Sequence, residues 1–216
     1  MPNWCYTDYA LVGSEENVKK AFESLEKVEN TPRKSDKEYS FESHSDWLGY
    51  VVMDILGESW EDVACRGTFN ELEYSHDING SGDYALTFNT ETAWGPCEEL
   101  MEKLADKFNL SLNYRSEEFG MCFFEKRNPD NIFPTQFCYC DETNTEYFDS
   151  LEDFIMTYGE HYDIPMGTPI EEVQAIIHEK DEEANLYEFE EVWLIHDTRE
   201  QLEKSCSLFH FLLDKR

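Results

Sequence analysis

Positive charge is what this chain lacks. Lys and Arg together number 17 against 48 Asp and Glu, a formal net charge of −31 at pH 7. Binding to a phosphate backbone works by basic side chains displacing condensed counterions, so this balance argues against direct contact with nucleic acid. No apolar run is long enough to span a bilayer, and the opening MPNWCYTDYALVG has neither a basic segment nor an apolar one. A cytoplasmic protein without membrane contact is expected. The seven cysteines are odd in number and follow no secreted-domain spacing, which fits free thiols in a reducing compartment. Internal repeats and low-complexity tracts are also missing.

What remains is enough for a folded protein. Hydrophobic residues make up 40% of the 216 positions and aromatics 15%, so the chain can bury a core in spite of its charge. The acidity is uneven: 12 basic and 26 acidic residues precede the Asn128–Pro129 junction, and 5 and 22 follow it. The junction separates an expected domain at 1–128 from an acidic region at 129–216, a hairpin plus helices.

The clearest pattern runs from Asp83 to Phe124. Tyr84, Leu86 and Phe88 alternate as in a strand with one buried face, and Trp94-Gly95-Pro96 turns the chain. Leu100, Leu104 and Phe108 then recur at helical spacing, with Pro96 suited to the first turn and Asn109 to a left-handed stop. Leu110, Leu112 and Tyr114 alternate again, and Met121–Phe124 continues after a turn at Gly120. Earlier, Trp4, Tyr6, Leu11 and Val12 read as a strand. Ser14 caps a helix with Val18, Ala21, Phe22 and Leu25 on one face. Residues from about 31 to 45 form a polar insertion. Asp46–Leu56 reads as a helix closed by Gly57, and Phe69, Leu72 and Tyr74 point inward from another strand. Asn79-Gly80 marks a hairpin. Without the insertion the order is βαββαβ, a ferredoxin-like α+β sandwich.

Beyond Pro129, a hairpin turning at Asp141–Asn144 precedes a helix with Ser150 and Asp153 as its capping box. Thr168 and Pro169 open a second helix. Val192–Ile195 reads as a strand, and Thr198 starts a last helix through Leu213.

Several residues carry a family resemblance: Met1-Pro2-Asn3-Trp4-Cys5 with Leu11-Val12-Gly13, Arg66-Gly67-Thr68, and Phe88-Asn89-Thr90 leading to Thr92-Ala93-Trp94-Gly95-Pro96. With Tyr114 and Glu117-Glu118-Phe119-Gly120, they resemble the YubB-type ferredoxin-like family over residues 1–128. That resemblance implies the same sandwich and a setting in phages, plasmids and other mobile elements. It implies no catalytic residues and no cofactor.

Candidate chemistry is thin. Asp77-Ile78-Asn79-Gly80-Ser81-Gly82 begins like a calcium loop, but Phe88 stands where the bidentate Glu should be, so a hairpin turn is the better reading. Cys138-x-Cys140 has no second ligand pair at zinc spacing. Cys5 and Cys97 lack a histidine at informative spacing and read as core thiols. Trp4, Tyr6, Tyr74, Tyr84 and Tyr114 could form an aromatic platform for RNA, but the charge opposes it, and packing under helices or against the acidic region is the expectation. The acidity itself is the remaining signal. Glu171, Glu172, Glu179, Asp181, Glu182, Glu183, Glu188, Glu190 and Glu191 form its densest cluster. A folded acidic surface can complement a basic, nucleic-acid-handling protein. The expectation is a non-enzymatic, mobile-element protein that binds another protein as a nucleic-acid mimic or anti-defence inhibitor. The alternative is a small enzyme with a groove between its two regions, near Arg66, Trp94, Pro96 and Tyr114.

Overall fold

A computed structural model describes residues 3–33, 46–78, 80 and 82–192. Its main sheet has six strands in the order β2-β3-β1-β4-β5-β9. The strands are β1 (Trp4–Gly13), β2 (Gly67–His76), β3 (Tyr84–Ala93), β4 (Ser111–Glu118), β5 (Phe123–Arg127) and β9 (Glu190–Glu191). Helix α1 (Glu15–Glu29) follows β1, and α3 (Glu98–Phe108) joins β3 to β4. The first four strands and these two helices make the βαββαβ unit, confirming the α+β class. The β3–α3–β4 crossover does reach a parallel strand, but β1 lies between the two and pairs antiparallel with both.

One face of the sheet is dry. Tyr9 and Leu11 of β1, Leu86 and Phe88 of β3, and Leu112 and Tyr114 of β4 meet Val18, Ala21, Leu25 and Val28 of α1 and Leu100, Met101 and Leu104 of α3. Burying each large side chain of this kind stabilises by about 1.5–3 kcal/mol, so the two apolar stripes largely determine where the helices lie. Between α1 and β2, Leu48–Tyr50 (α2) runs into a π-helical stretch, Val51–Leu56, with Val51, Val52 and Ile55 buried. Gly57 ends it at φ 77, as expected from a residue without a Cβ. The expected cap moves by one residue: Trp47, not Asp46, occupies that position.

Other corrections are local. Pro96 lies before the cap of α3, which is Cys97, so the proline shapes the turn rather than the first helical turn. That turn is held by the Thr92 hydroxyl donating to the Gly95 carbonyl at 2.8 Å. Ser14 sits at the cap of α1, but only its carbonyl serves the helix. In the hairpin before β3, Asp77 accepts from the Gly82 amide at 2.7 Å while its own amide bonds the Asp83 carbonyl. The loop's one described carboxylate of the calcium pattern is therefore turning the chain; Asn79 and Ser81 lie outside the described residues.

A second, three-stranded sheet has the order β7-β6-β8. Its strands are β6 (Phe137–Cys140), β7 (Thr145–Phe148) and β8 (Asn185–Glu188), with helices α4 (Leu151–Tyr162) and α5 (Ile170–Lys180) on one face. The hairpin turn at 141–144 and the Ser150 cap accepting from the Asp153 amide match expectation. Helix α5 starts one residue late, with Pro169 as its cap. The acidic stretch is already strand at 185–188 and 190–191, earlier than the expected Val192–Ile195. Residues 193–195, the last helix at 198–213 and most of the insertion lie outside the described residues. The other face of this sheet presents Cys138 and Tyr187 to Phe124 and Phe189, covering the β5 end of the main sheet.

Asn109 ends α3 at φ 52, in the left-handed region. Alanine there should lower the unfolding free energy by about 1–2 kcal/mol, whereas glycine should leave it nearly unchanged, measurable by urea denaturation.

Candidate binding face

Among the described residues, the helices cover one side of the main sheet. On the other side, Ala10, Val12 and Ala85 are sealed at one end by Ile132 and Phe133. The far end stays open and forms a cleft of about 440 Å³.

Strand register builds it. Residues directly opposite in an antiparallel ladder share a face, with Cβ atoms about 4.5–5.5 Å apart. Tyr6 of β1 stands opposite Glu91 of β3 and Glu117 of β4, so a phenol lies between two carboxylates in one row across three strands. The next row carries Asn89, Asp8 and Arg115 by the same pairing. A bulge in β2 adds a fourth acid-bearing position. The register slips by one residue between Asn70 and Glu73, and Glu71 adopts φ 57. That extra residue brings Glu71 beside Asn70, where it accepts from the Asn89 amide at 2.8 Å.

Charge in the cleft is unbalanced. Asp8, Glu71, Glu91 and Glu117 face it with Arg115 as the single cation among the lining residues. Arg115 is fully engaged. Its Nη2 meets Asp8 Oδ2 at 2.7 Å, its Nη1 donates to Thr135 Oγ1 at 3.3 Å, and its guanidinium lies 4.7 Å from the Tyr147 ring centre. The Tyr147 hydroxyl donates to Glu117 at 2.7 Å, linking β7 to the cleft. Burial nevertheless pushes the Glu117 carboxyl above its usual value, against the lowering by Tyr147 and Arg115. Tyr6 and Trp4 are 47% and 45% exposed, large areas for aromatic rings on a strand.

The expected platform aromatics therefore divide. Trp4 and Tyr6 are on the open face, contrary to the expectation that they pack away. Tyr114 is fully buried under the helices, and Tyr74 and Tyr84 pack in a tilted pair with ring centres 5.6 Å apart, Tyr74 also edge-on to Phe22. Of the groove candidates, the Arg66 carbonyl accepts from the Ala93 amide, so Arg66 and Trp94 are neighbours at one end of β3, with Pro96 in the following turn. Tyr114 does not join them.

Tyr114 has its own polar surroundings. Its hydroxyl contacts Glu98 of α3 and, at 2.9 Å, Glu125 of β5. The single hydroxyl proton is shared between two carboxylate acceptors, which brings the two acids close together around the phenol. Burial pushes Glu125 up, with Glu98 and Glu190 adding repulsion.

The acidic cluster expected from sequence is dispersed. Glu171 and Glu172 open α5, Glu179 lies near its end, Asp181 caps it, and Glu182 and Glu183 follow in the loop. An 11-residue helix separates those ends by roughly 16 Å. Glu188 ends β8, Glu190 stands opposite Glu125, and Glu191 reaches the buried Lys126 at 3.8 Å. These acids are exposed apart from the half-buried Asp181, but they do not line one cleft with aromatic groups.

Among the described cysteines, Cys5, Cys65, Cys97 and Cys138 are buried, Cys140 is half-buried and Cys122 is exposed. Cys97 and Cys138 are each pushed up to about 12, mainly by burial, although Cys97 caps a helix. Cys5 is also raised by burial and contacts Ser116 at 3.0 Å. Among the described residues no three His, Cys, Asp or Glu side chains are grouped to hold a metal ion, and no helix is long and apolar enough to cross a membrane.

The fold and this open face define a ferredoxin-like α+β protein whose free sheet surface is acidic and aromatic. Residues 73–128 match the family model described as the ferredoxin-like domain in Api92-like protein, a span that runs from the last part of β2 through β5. No curated protein and no solved structure matches the chain.

Because Glu125 titrates above its ordinary value, the folded state binds its proton more tightly than the unfolded chain. Its penalty is absent below the ordinary carboxylate value and grows as pH rises through the raised one. Glu125→Gln should therefore be more stable than the parent at pH 7.5, with the difference shrinking or reversing near pH 4. Urea unfolding at the two pH values reads the result.

Proposed function

We propose that this protein binds a basic, nucleic-acid-handling protein through the open face of its main sheet, without catalysing a reaction. The observation that carries the reading is the row Glu91–Tyr6–Glu117, beside Asp8 and Glu71, on a face that none of the described helices covers. Fixed carboxylates in a cleft focus negative potential, speed the approach of a cationic partner and repel a nucleic acid. A rigid sheet adds to this, since its charges need not be ordered on binding.

The reading moves the docking surface from the α5–β8 acids to the sheet. Those acids supply long-range attraction, while the cleft supplies shape and aromatic contact. The resemblance of the amino-terminal residues to the YubB-type family supports the further proposal of a mobile-element protein. In that setting the fixed acidic face acts as a mimic of nucleic acid and inhibits a defence nuclease or similar host protein, in a cytoplasmic compartment. The enzymatic alternative has less behind it. Arg66, Trp94 and Pro96 gather at one end of β3, but Tyr114 is buried beneath the helices and does not meet them.

Charge reversal separates the two acidic surfaces. A Glu91→Lys/Glu117→Lys variant should lose at least about tenfold in affinity for a fluorescent lysine- and arginine-rich peptide, since each exposed pair contributes up to about 1 kcal/mol and reversal adds repulsion. Glu182→Lys/Glu183→Lys should lose less, and raising salt from 50 to about 300 mM should narrow the difference. A larger loss from the second variant would place docking on the carboxy-terminal acids instead.

A further inference from the structure

The open sheet face also indicates which cation it takes. Tyr6 stands directly between Glu91 and Glu117, and strands are about 4.8 Å apart. The flanking carboxylates thus start from backbones roughly 10 Å apart, with a half-exposed phenol ring between them. A planar, weakly hydrated guanidinium can lie over such a ring and still direct N–H groups to carboxylates at its edges. An ammonium is a compact, strongly hydrated point charge that gains less from the ring and offers no planar fork.

The protein already uses this arrangement twice for its own arginines. Arg115 pairs with Asp8 at 2.7 Å while lying 4.7 Å from the Tyr147 ring centre. Arg33 pairs with Asp54 at 2.7 Å while lying 3.8 Å from the Tyr50 ring centre. In both, one carboxylate and one tyrosine hold one guanidinium. The Glu91–Tyr6–Glu117 row repeats the parts with an additional carboxylate. Glu117 accepts from the Tyr147 hydroxyl, which fixes that carboxylate at the cleft wall. Trp4 adds a second exposed ring two residues back along β1 and on the same face.

We propose that the open sheet face selects arginine over lysine, and that the partner inserts an arginine side chain over Tyr6 between Glu91 and Glu117. The assignment rests on the basic-partner reading above. It narrows that partner to one that presents arginine on an exposed segment, as phosphate-binding proteins do where they grip a backbone.

The test uses the full chain with fluorescent nonapeptides of arginine and of lysine, matched in length and charge, at about 100 mM salt. The parent protein should bind the arginine peptide at least about threefold more tightly, the scale of one exposed cation–ring contact. Tyr6→Leu keeps a strand-compatible apolar residue but removes the ring; it should bind both peptides with affinities within about twofold of one another. Tyr6→Phe should retain the preference, which separates a ring effect from loss of fold. Glu182→Lys/Glu183→Lys should leave the ratio unchanged. Equal binding of both peptides to the parent would overturn arginine selection while leaving a basic partner in place. A preference that survives Tyr6→Leu would also overturn it, because the selecting site would lie elsewhere. Binding of neither peptide would overturn both this assignment and the function on which it rests.

Discussion

The fold depends on strand β1 being paired on both edges. All ten of its residues pair with β3 on one side and seven, Tyr6 to Val12, with β4 on the other, so neither edge is free to slip. Alternation along the strand then does two jobs. Cys5, Thr7, Tyr9 and Leu11 go under the helices, and Trp4, Tyr6, Asp8, Ala10 and Val12 go to the opposite face. A shift of one residue would expose Leu11 and bury Asp8, so the core that holds the helices also fixes the order of groups on the open face. The position of Tyr6 between two glutamates is a consequence of packing Tyr9 and Leu11 correctly.

Electrostatics makes that face distinctive. In most of the molecule, acidic residues are solvated or paired with a nearby base, as in Lys103 with Glu58 and Glu99 or Lys180 with Asp163. In the cleft the sole lining cation, Arg115, is paired with Asp8 and lies against the Tyr147 ring, so four carboxylates share one guanidinium. Collecting such groups costs folding free energy through repulsion, and a bulge at Glu71 with a left-handed backbone adds local strain. Those costs are consistent with a surface retained for binding, and they would be relieved by a cation of matching shape. The acids of α5 carry no such strain and are spaced along a helix and loop.

Much of the sandwich was legible because its signals are local. Alternation in β3 and β4, the four-residue recurrence in α3, and Asn109 as a stop were all readable, and the structure has them. Offsets arose where two signals competed: Pro96 fits a first turn, but the Thr92–Gly95 bond holds it one step earlier, outside the helix. The site was much less legible. Tyr6, Glu91 and Glu117 are far apart in sequence and meet only through register, which single-residue patterns do not encode. Glu71 required a bulge that nothing in its neighbours announces. The run Glu179–Glu191 stands out because its acids are dense in sequence, yet they spread over a helix end, a loop and two strands. Tyr114 is expected near a groove between the two regions, but its strand position points it into the core.

Mapping a bound arginine peptide by backbone and side-chain NMR shifts tests the central claim most directly. The account predicts saturable changes centred on Trp4, Tyr6, Glu91 and Glu117, with smaller effects at Glu71 and Arg115. Changes centred on residues 171–191, with the β1 signals unmoved, would contradict it and return the acidic helix and loop as the binding surface.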